Sequence, residues 1–123
     1  MAIWAEPRAQ RKSRSADALK KAGDHPLVIC TVARLFWAER KVEKAREWFM
    51  RAVKADSGAG DVWGWWLRFE RQHGTQEHRD EVKRRCAVAE PRYGAVWQAV
   101  AKDDANRGKS PADIVELVAD RLS

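Results

Sequence analysis

The residues best suited to chemistry in this 123-residue sequence are few, and their spacing is poor for it. His73 and His78 stand five apart, so on a helix they do not share the face that a metal-binding pair four apart would share. Cys30 and Cys86 form no Cys-x-x-Cys pair and have no usual ligand spacing to His25, His73 or His78. Each cysteine sits among apolar neighbours, which reads as two buried thiols in a reducing compartment. Asp103 and Asp104 are adjacent and point in different directions on a helix, so they read as a solvated turn near a helix end. Gly58-Ala59-Gly60 lacks the following Lys-Ser/Thr and the preceding strand of a phosphate loop. Ser57, Ser110 and Ser123 fall at capping, loop or terminal positions. The expectation is no enzyme, no cofactor, no metal and no small-molecule substrate.

The elements that carry these residues are helical. Hydrophobic residues make up 45% of the chain and charged residues 34%, with seven Trp, which excludes a disordered chain. No apolar run approaches the ~18 residues of a membrane span. The first fourteen residues lack the apolar run of a secretory signal; Arg8, Arg11 and Arg14 resemble a mitochondrial presequence, against which Glu6 and Pro7 argue. No segment alternates apolar and polar residues as a strand would. Instead, apolar residues recur at spacings of three and four over 27–39, 42–55, 61–73, 77–89, 95–105 and 112–122. Gly74 and Gly108 are placed to end helices in the left-handed conformation. Thr75, Ser110 (before Pro111), Asp61 and Asp24 are placed to open them, and Ser110 with Asp113 has capping-box spacing. Loops this short predict antiparallel neighbours.

A period of 34 residues organises the helices. It superposes Ile29, Trp63 and Trp97, then Val32, Trp66 and Val100, then Ala33, Leu67 and Ala101, and it carries Gly74 onto Gly108. The units are 26–57, 60–91 and 94–123, preceded by a poorly ordered start at 1–10 and by the second helix of an incomplete unit at 11–22. The first unit matches the tetratricopeptide pattern, with Ala45, Phe49 and Ala52 on its second helix; the second breaks it at Arg79 and Lys83 but ends at Pro91, as that pattern wants. Such a period in a helical chain means an α-solenoid whose units cover one another's apolar faces. An open N-terminal face predicts self-association or poor solubility of the isolated chain.

Charge and aromatic content suggest where partners bind. The net charge is +6, of which +4 lies in residues 1–22 and +2 in 23–57, while the rest of the chain is balanced. Arg8, Arg11, Lys12, Arg14, Lys20 and Lys21 read as a split nuclear-import signal, as phosphate contacts or as the solvated face of a half-unit, with Ser13 and Ser15 as phosphate acceptors that would switch its charge. Trp63, Trp66 and Trp97 fit the core stripe. Trp37, Trp48 and Trp65 are open to a partner-binding or base-stacking reading, and Trp65 is out of phase with the stripe. Glu70 is open to two readings: a buried hydrogen bond on the inner face, or a surface pair with Arg71 or nearby Lys residues.

Trp63, Trp66, Phe69-Glu70 and Pro91 are similar to the half-a-tetratricopeptide repeat, a type concentrated in RNA-processing proteins. The resemblance extends from about residue 6 to 122. The runs Lys44-Ala45-Arg46-Glu47-Trp48-Phe49, His73-Gly74-Thr75 and Ala89-Glu90-Pro91-Arg92 look like the C-terminal repeats of the pre-mRNA-processing factor 6 family, splicing factors of the tri-snRNP. That resemblance implies a nuclear protein-binding scaffold without catalytic residues, contacting spliceosomal snRNP proteins, with direct or indirect RNA contact and no membrane. Family members are several times longer, so the chain is expected to be a truncated gene product, a domain fragment or the product of a wrongly drawn gene. The fold expected is all-α: six full helices and one partial helix, stacked as antiparallel pairs in a right-handed superhelix whose first helices line the concave side. Arg11, Lys12, Arg14, Trp65, Arg68 and Arg71 are the expected partner contacts. The alternatives are a peptide-binding adaptor of tetratricopeptide type and a direct RNA-binding helical repeat, the latter weakened by the neutral last two units.

Overall fold

Pro26 fixes the first backbone angle of the first helix, and the His25 ring accepts a hydrogen bond from Leu27 N–H at 3.3 Å. From there the computed structural model describes residues 25–122. The fold is all-α: helices make up 78% of the described residues, with no strand among them. Six α-helices follow in order, α1 (Pro26–Ala38), α2 (Val42–Ala55), α3 (Gly60–His73), α4 (Gln76–Ala89), α5 (Ala95–Ala101) and α6 (Pro111–Arg121), with a 3-10 turn at Asp104–Asn106. The expected start at 1–10, the partial helix at 11–22 and the cap at Asp24 lie outside the described residues.

Thr75 opens α4: its hydroxyl accepts from His78 N–H, and the His78 ring accepts in return from Thr75 N–H. Ser110 opens α6 by accepting from Asp113 N–H at 3.3 Å. The helix expected over 95–105 stops at Ala101. Asp103 there accepts from Ala105 N–H, and Asn106 donates to Val100 O, so side chains that compete with the helix ladder turn the chain away. Asp103 and Asp104 are exposed in this turn.

Gly74 differs from expectation. Its backbone is extended (φ −95°, ψ 173°), not left-handed. Its lack of a Cβ has another use, since a Cβ there would collide with the Glu70 carboxylate. The left-handed cap of α4 is Glu90 (φ 50°), directly before the buried Pro91. Gly108 is left-handed (φ 83°), but it follows the 3-10 turn instead of ending a helix.

The 34-residue register reappears as burial. Ile29, Trp63 and Trp97 are buried, as are Val32, Trp66 and Val100; Ala33 and Leu67 are buried and Ala101 is half-buried. Ala45, Phe49 and Ala52 of α2 are fully buried beside Phe69 of α3, and each such aromatic contributes about 1.5–3 kcal/mol by leaving water. α3 is the central helix and meets all the others; α6 packs on α3, α4 and α5 together. Val115 and Val118 of α6 and Leu122 just beyond its end are buried, and Gly64 lets α3 approach them: a Cβ there would fall 2.5 Å from Val118 Cγ1.

Candidate protein-binding surface

The surface is built on a buried charge. Glu70 is 1% exposed, and Arg46 from α2 grips it with two bonds of 2.8 Å, Nε to Oε2 and Nη2 to Oε1. Trp66 Nε1 donates a third bond to Oε2 at 3.1 Å. The bond to Glu70 and the carboxylate's charge hold the Arg46 pKa above its usual value. Of the two readings of Glu70, the buried hydrogen bond is the one observed, with Arg46 as a partner that lies 24 residues away. This bidentate pair ties α2 to α3 and fixes the rotation of α3.

That rotation presents Asp61, Trp65, Arg68 and Gln72 along one side of α3, spaced by four, three and four residues. Trp65 is half-buried. The Arg34 guanidinium of α1 lies over its ring, 3.9 Å from the centroid, and Trp37 meets it edge-on with centroids 6.5 Å apart. Trp37 Nε1 donates to Gln72 Oε1 at 2.9 Å, and the His73 ring stands edge-on to Trp37. Between α1 and α3 these side chains, with Ala38 and Arg40, line a cleft of about 510 Å³. A smaller recess of about 280 Å³ at Arg68, Arg71 and Gln72 lies next along α3. The face is thus aromatic at its base and cationic at its edges.

Arg68 and Arg71 also serve the fold. Arg68 donates to Ala119 O at 3.1 Å, and Arg71 donates to Asp120 Oδ1 at 2.6 Å and to Glu116 O at 3.0 Å. Both therefore clasp α6. Trp48 stands apart from the cleft, under Arg51 and beside Phe36. Trp63, Trp66 and Trp97 are core residues, 3% exposed each. Arg11, Lys12 and Arg14 lie outside the described residues. The three histidines have structural contacts: His25 and His78 at helix starts, His73 in the aromatic cluster. Burial pushes both thiols up to about 12; at Cys30, Arg34 lowers the value against this and Asp61 raises it further. No described helix is long and apolar enough to cross a membrane.

Two contacts had no local signal in the sequence. Asp61 does not cap its own helix, since α3 begins at Gly60. Its carboxylate instead accepts from Val96 N–H (3.2 Å) and Trp97 N–H (2.8 Å), capping α5 from 35 residues away. The loops before α3 and α5 also run side by side, with Gly60 N–H donating to Tyr93 O and Arg92 N–H to Gly58 O.

No protein-family model matches the chain. It is 54% identical over 94% of its length to pre-mRNA-processing factor 6 of Homo sapiens, covering 12% of that protein. It is 44% identical over 95% of its length to Protein STABILIZED1 of Arabidopsis thaliana, covering 11% of it. To the pre-mRNA-splicing factor prp1 of Schizosaccharomyces pombe it is 42% identical over 92% of its length, again covering 12%. The chain thus spans about one eighth of the length of its relatives.

Proposed function

We propose that this chain, a homologue of one segment of pre-mRNA-processing factor 6, is a non-catalytic protein-binding scaffold of the nuclear splicing machinery. The observation that carries the reading is identity of 42–54% over more than nine-tenths of the chain to proteins named for pre-mRNA processing and splicing. The segment corresponds to terminal repeats at 26–57, 60–91 and 94–123, stacked as antiparallel helix pairs in a right-handed superhelix. Its partners are snRNP proteins of the tri-snRNP. The α1/α3 face, with Trp65 at its base and Arg68 and Arg71 at its rim, is the docking surface, assisted by Arg11, Lys12 and Arg14. Protein is favoured over RNA as the ligand because Arg34 already covers the Trp65 ring, so a stacking base would have to displace it.

The test is a pull-down of the tagged chain from nuclear extract, reading proteins and small nuclear RNAs. Recovery of tri-snRNP proteins, lost with Trp65→Ala, supports the reading. A folded chain that recovers none of them overturns it.

A further inference from the structure

A second cleft of about 750 Å³ opens between α2 and α4, away from Trp65 and its neighbours. Its floor is apolar: Trp63 and Val53 line it, and Trp63 spends its only donor on Ser57 O at 3.0 Å, so the ring offers carbon alone. Its lips are Met50 on α2 and Val88 on α4, which are 38% and 79% exposed. These are two of the four large hydrophobic residues exposed among the described residues, and both line this one cleft from different helices. Isolated exposed apolar residues need no explanation, but two lining one cleft with an apolar Trp63 and Val53 do.

The edges are cationic. Arg51 and Lys54 stand on the α2 wall and Arg84 and Arg85 on the α4 wall. Among the described residues Arg84 and Arg85 share a single carboxylate, Glu81, with contacts of 2.6 and 2.8 Å, so two cations there meet one anion. Arg51 lies over the Trp48 ring at 4.8 Å, and neither it nor Lys54 forms an ion pair among the described residues. Glu47 is the one acid among the described lining residues.

We infer that this groove binds an acidic amphipathic helix of a partner protein, with apolar side chains on the Trp63 floor and carboxylates against Arg51, Lys54, Arg84 and Arg85. Charge selects that occupant. A second copy of the chain carries +6, and its own residues 1–22 carry +4, so both would be repelled from this rim. RNA would match the rim but leave the apolar floor and lips uncovered. An amphipathic helix satisfies both, with anchors spaced by three, four and seven. The inference does not depend on the splicing role, because it concerns another face and is tested with purified components.

The probe is a fluorescein-labelled helical peptide with Leu at i, i+3 and i+7 and Glu at most other positions, titrated with the full 123-residue chain. Saturable binding is expected, with affinity falling as salt rises. The same peptide with Lys for Glu, or Ser for Leu, should not bind. Val88→Asp and Met50→Asp should each weaken binding by about tenfold or more, and Arg51→Glu with Lys54→Glu should weaken it similarly. Both lip residues are exposed, so helical circular dichroism should be unchanged, and Trp65→Ala should leave binding unchanged. The inference falls if the acidic peptide does not bind, if the lip variants bind it as well as the parent chain, or if Trp65→Ala abolishes binding. It falls also if oligouridine, and not the peptide, binds in a manner lost with Arg51→Glu and Lys54→Glu.

Discussion

Arg46 neutralises Glu70 at a point where water cannot. Removing the arginine alone leaves a carboxylate in a 1%-exposed site whose one other donor among the described residues is Trp66 Nε1. Arg46→Ala should therefore cost about 3–5 kcal/mol, read from the urea midpoint at unchanged slope. Arg46→Met combined with Glu70→Gln should recover most of that loss, since no charge stays buried and the Gln carbonyl can still accept from Trp66. A double variant no more stable than Arg46→Ala would refute this account. The two thiols give a pH dependence. Each folded-state value lies near 12 against an ordinary 9.0, because burial disfavours the thiolate. The folded chain thus keeps protons that the unfolded chain releases above pH 9, so this stabilisation is complete below 9 and is lost as pH rises toward 12. Urea midpoints should fall over that range, and fall less in a Cys30→Ala, Cys86→Ala variant. Native protein should also resist maleimide until it unfolds.

At the scale of elements, α5 is too short to be stable by itself, and its N-terminus depends on Asp61 of α3. Asp61→Ala should cost about 1–2 kcal/mol, whereas the exposed Glu77→Ala should be close to neutral by thermal melting. Gly64→Ala sets two effects against each other. Helix propensity favours Ala by about 1 kcal/mol, while the new Cβ meets Val118 and overpacking costs about 1–3 kcal/mol. The expected outcome is a lower melting temperature; a higher one would mean that α6 can shift away. These two sites mark the limit of what was legible in the sequence. Helix existence, the 34-residue register and the core Trp63, Trp66 and Trp97 were legible, because 3.6-residue periodicity reports burial directly. The Thr75 and Ser110 caps were legible because they act within one turn. The Asp61 cap, the Arg46 partner of Glu70 and the tight contact at Gly64 join residues 24 or more apart, and no periodicity encodes them. Gly74 illustrates the same limit: its type suggested a left-handed backbone, but its role is set by the Glu70 carboxylate beside it. Of the candidate surface, Trp65 stood out by its phase, while Arg34 above it and Gln72 beside Trp37 became visible only once α1 lay against α3.

At the scale of the molecule, the same arginines are asked to do two things. Arg71 clasps Asp120 and the Glu116 carbonyl of α6, and it also stands on the rim of the proposed docking face. Loss of binding in a simple Arg71→Glu variant would therefore be ambiguous, because α6 covers α3, α4 and α5 and its release would loosen all three. The Asp120 carboxyl is more than half exposed, so the ion pair itself contributes under about 1 kcal/mol. A charge swap separates the roles. Arg71→Glu with Asp120→Arg keeps an attractive pair across the α3/α6 contact while moving the positive charge from α3 to α6. Its melting temperature should recover part of the loss of the Arg71→Glu single variant but not all of it, because a carboxylate at position 71 cannot donate to Glu116 O and faces the Glu116 carboxylate. If Arg71 serves only the fold, recovery of tri-snRNP proteins from nuclear extract should return with it. If Arg71 meets a partner carboxylate, the swapped chain should be folded and yet bind weakly. That second outcome is expected, because a rim cation paired with an exposed acid remains accessible to a partner, and moving it reverses the charge the partner meets on α3.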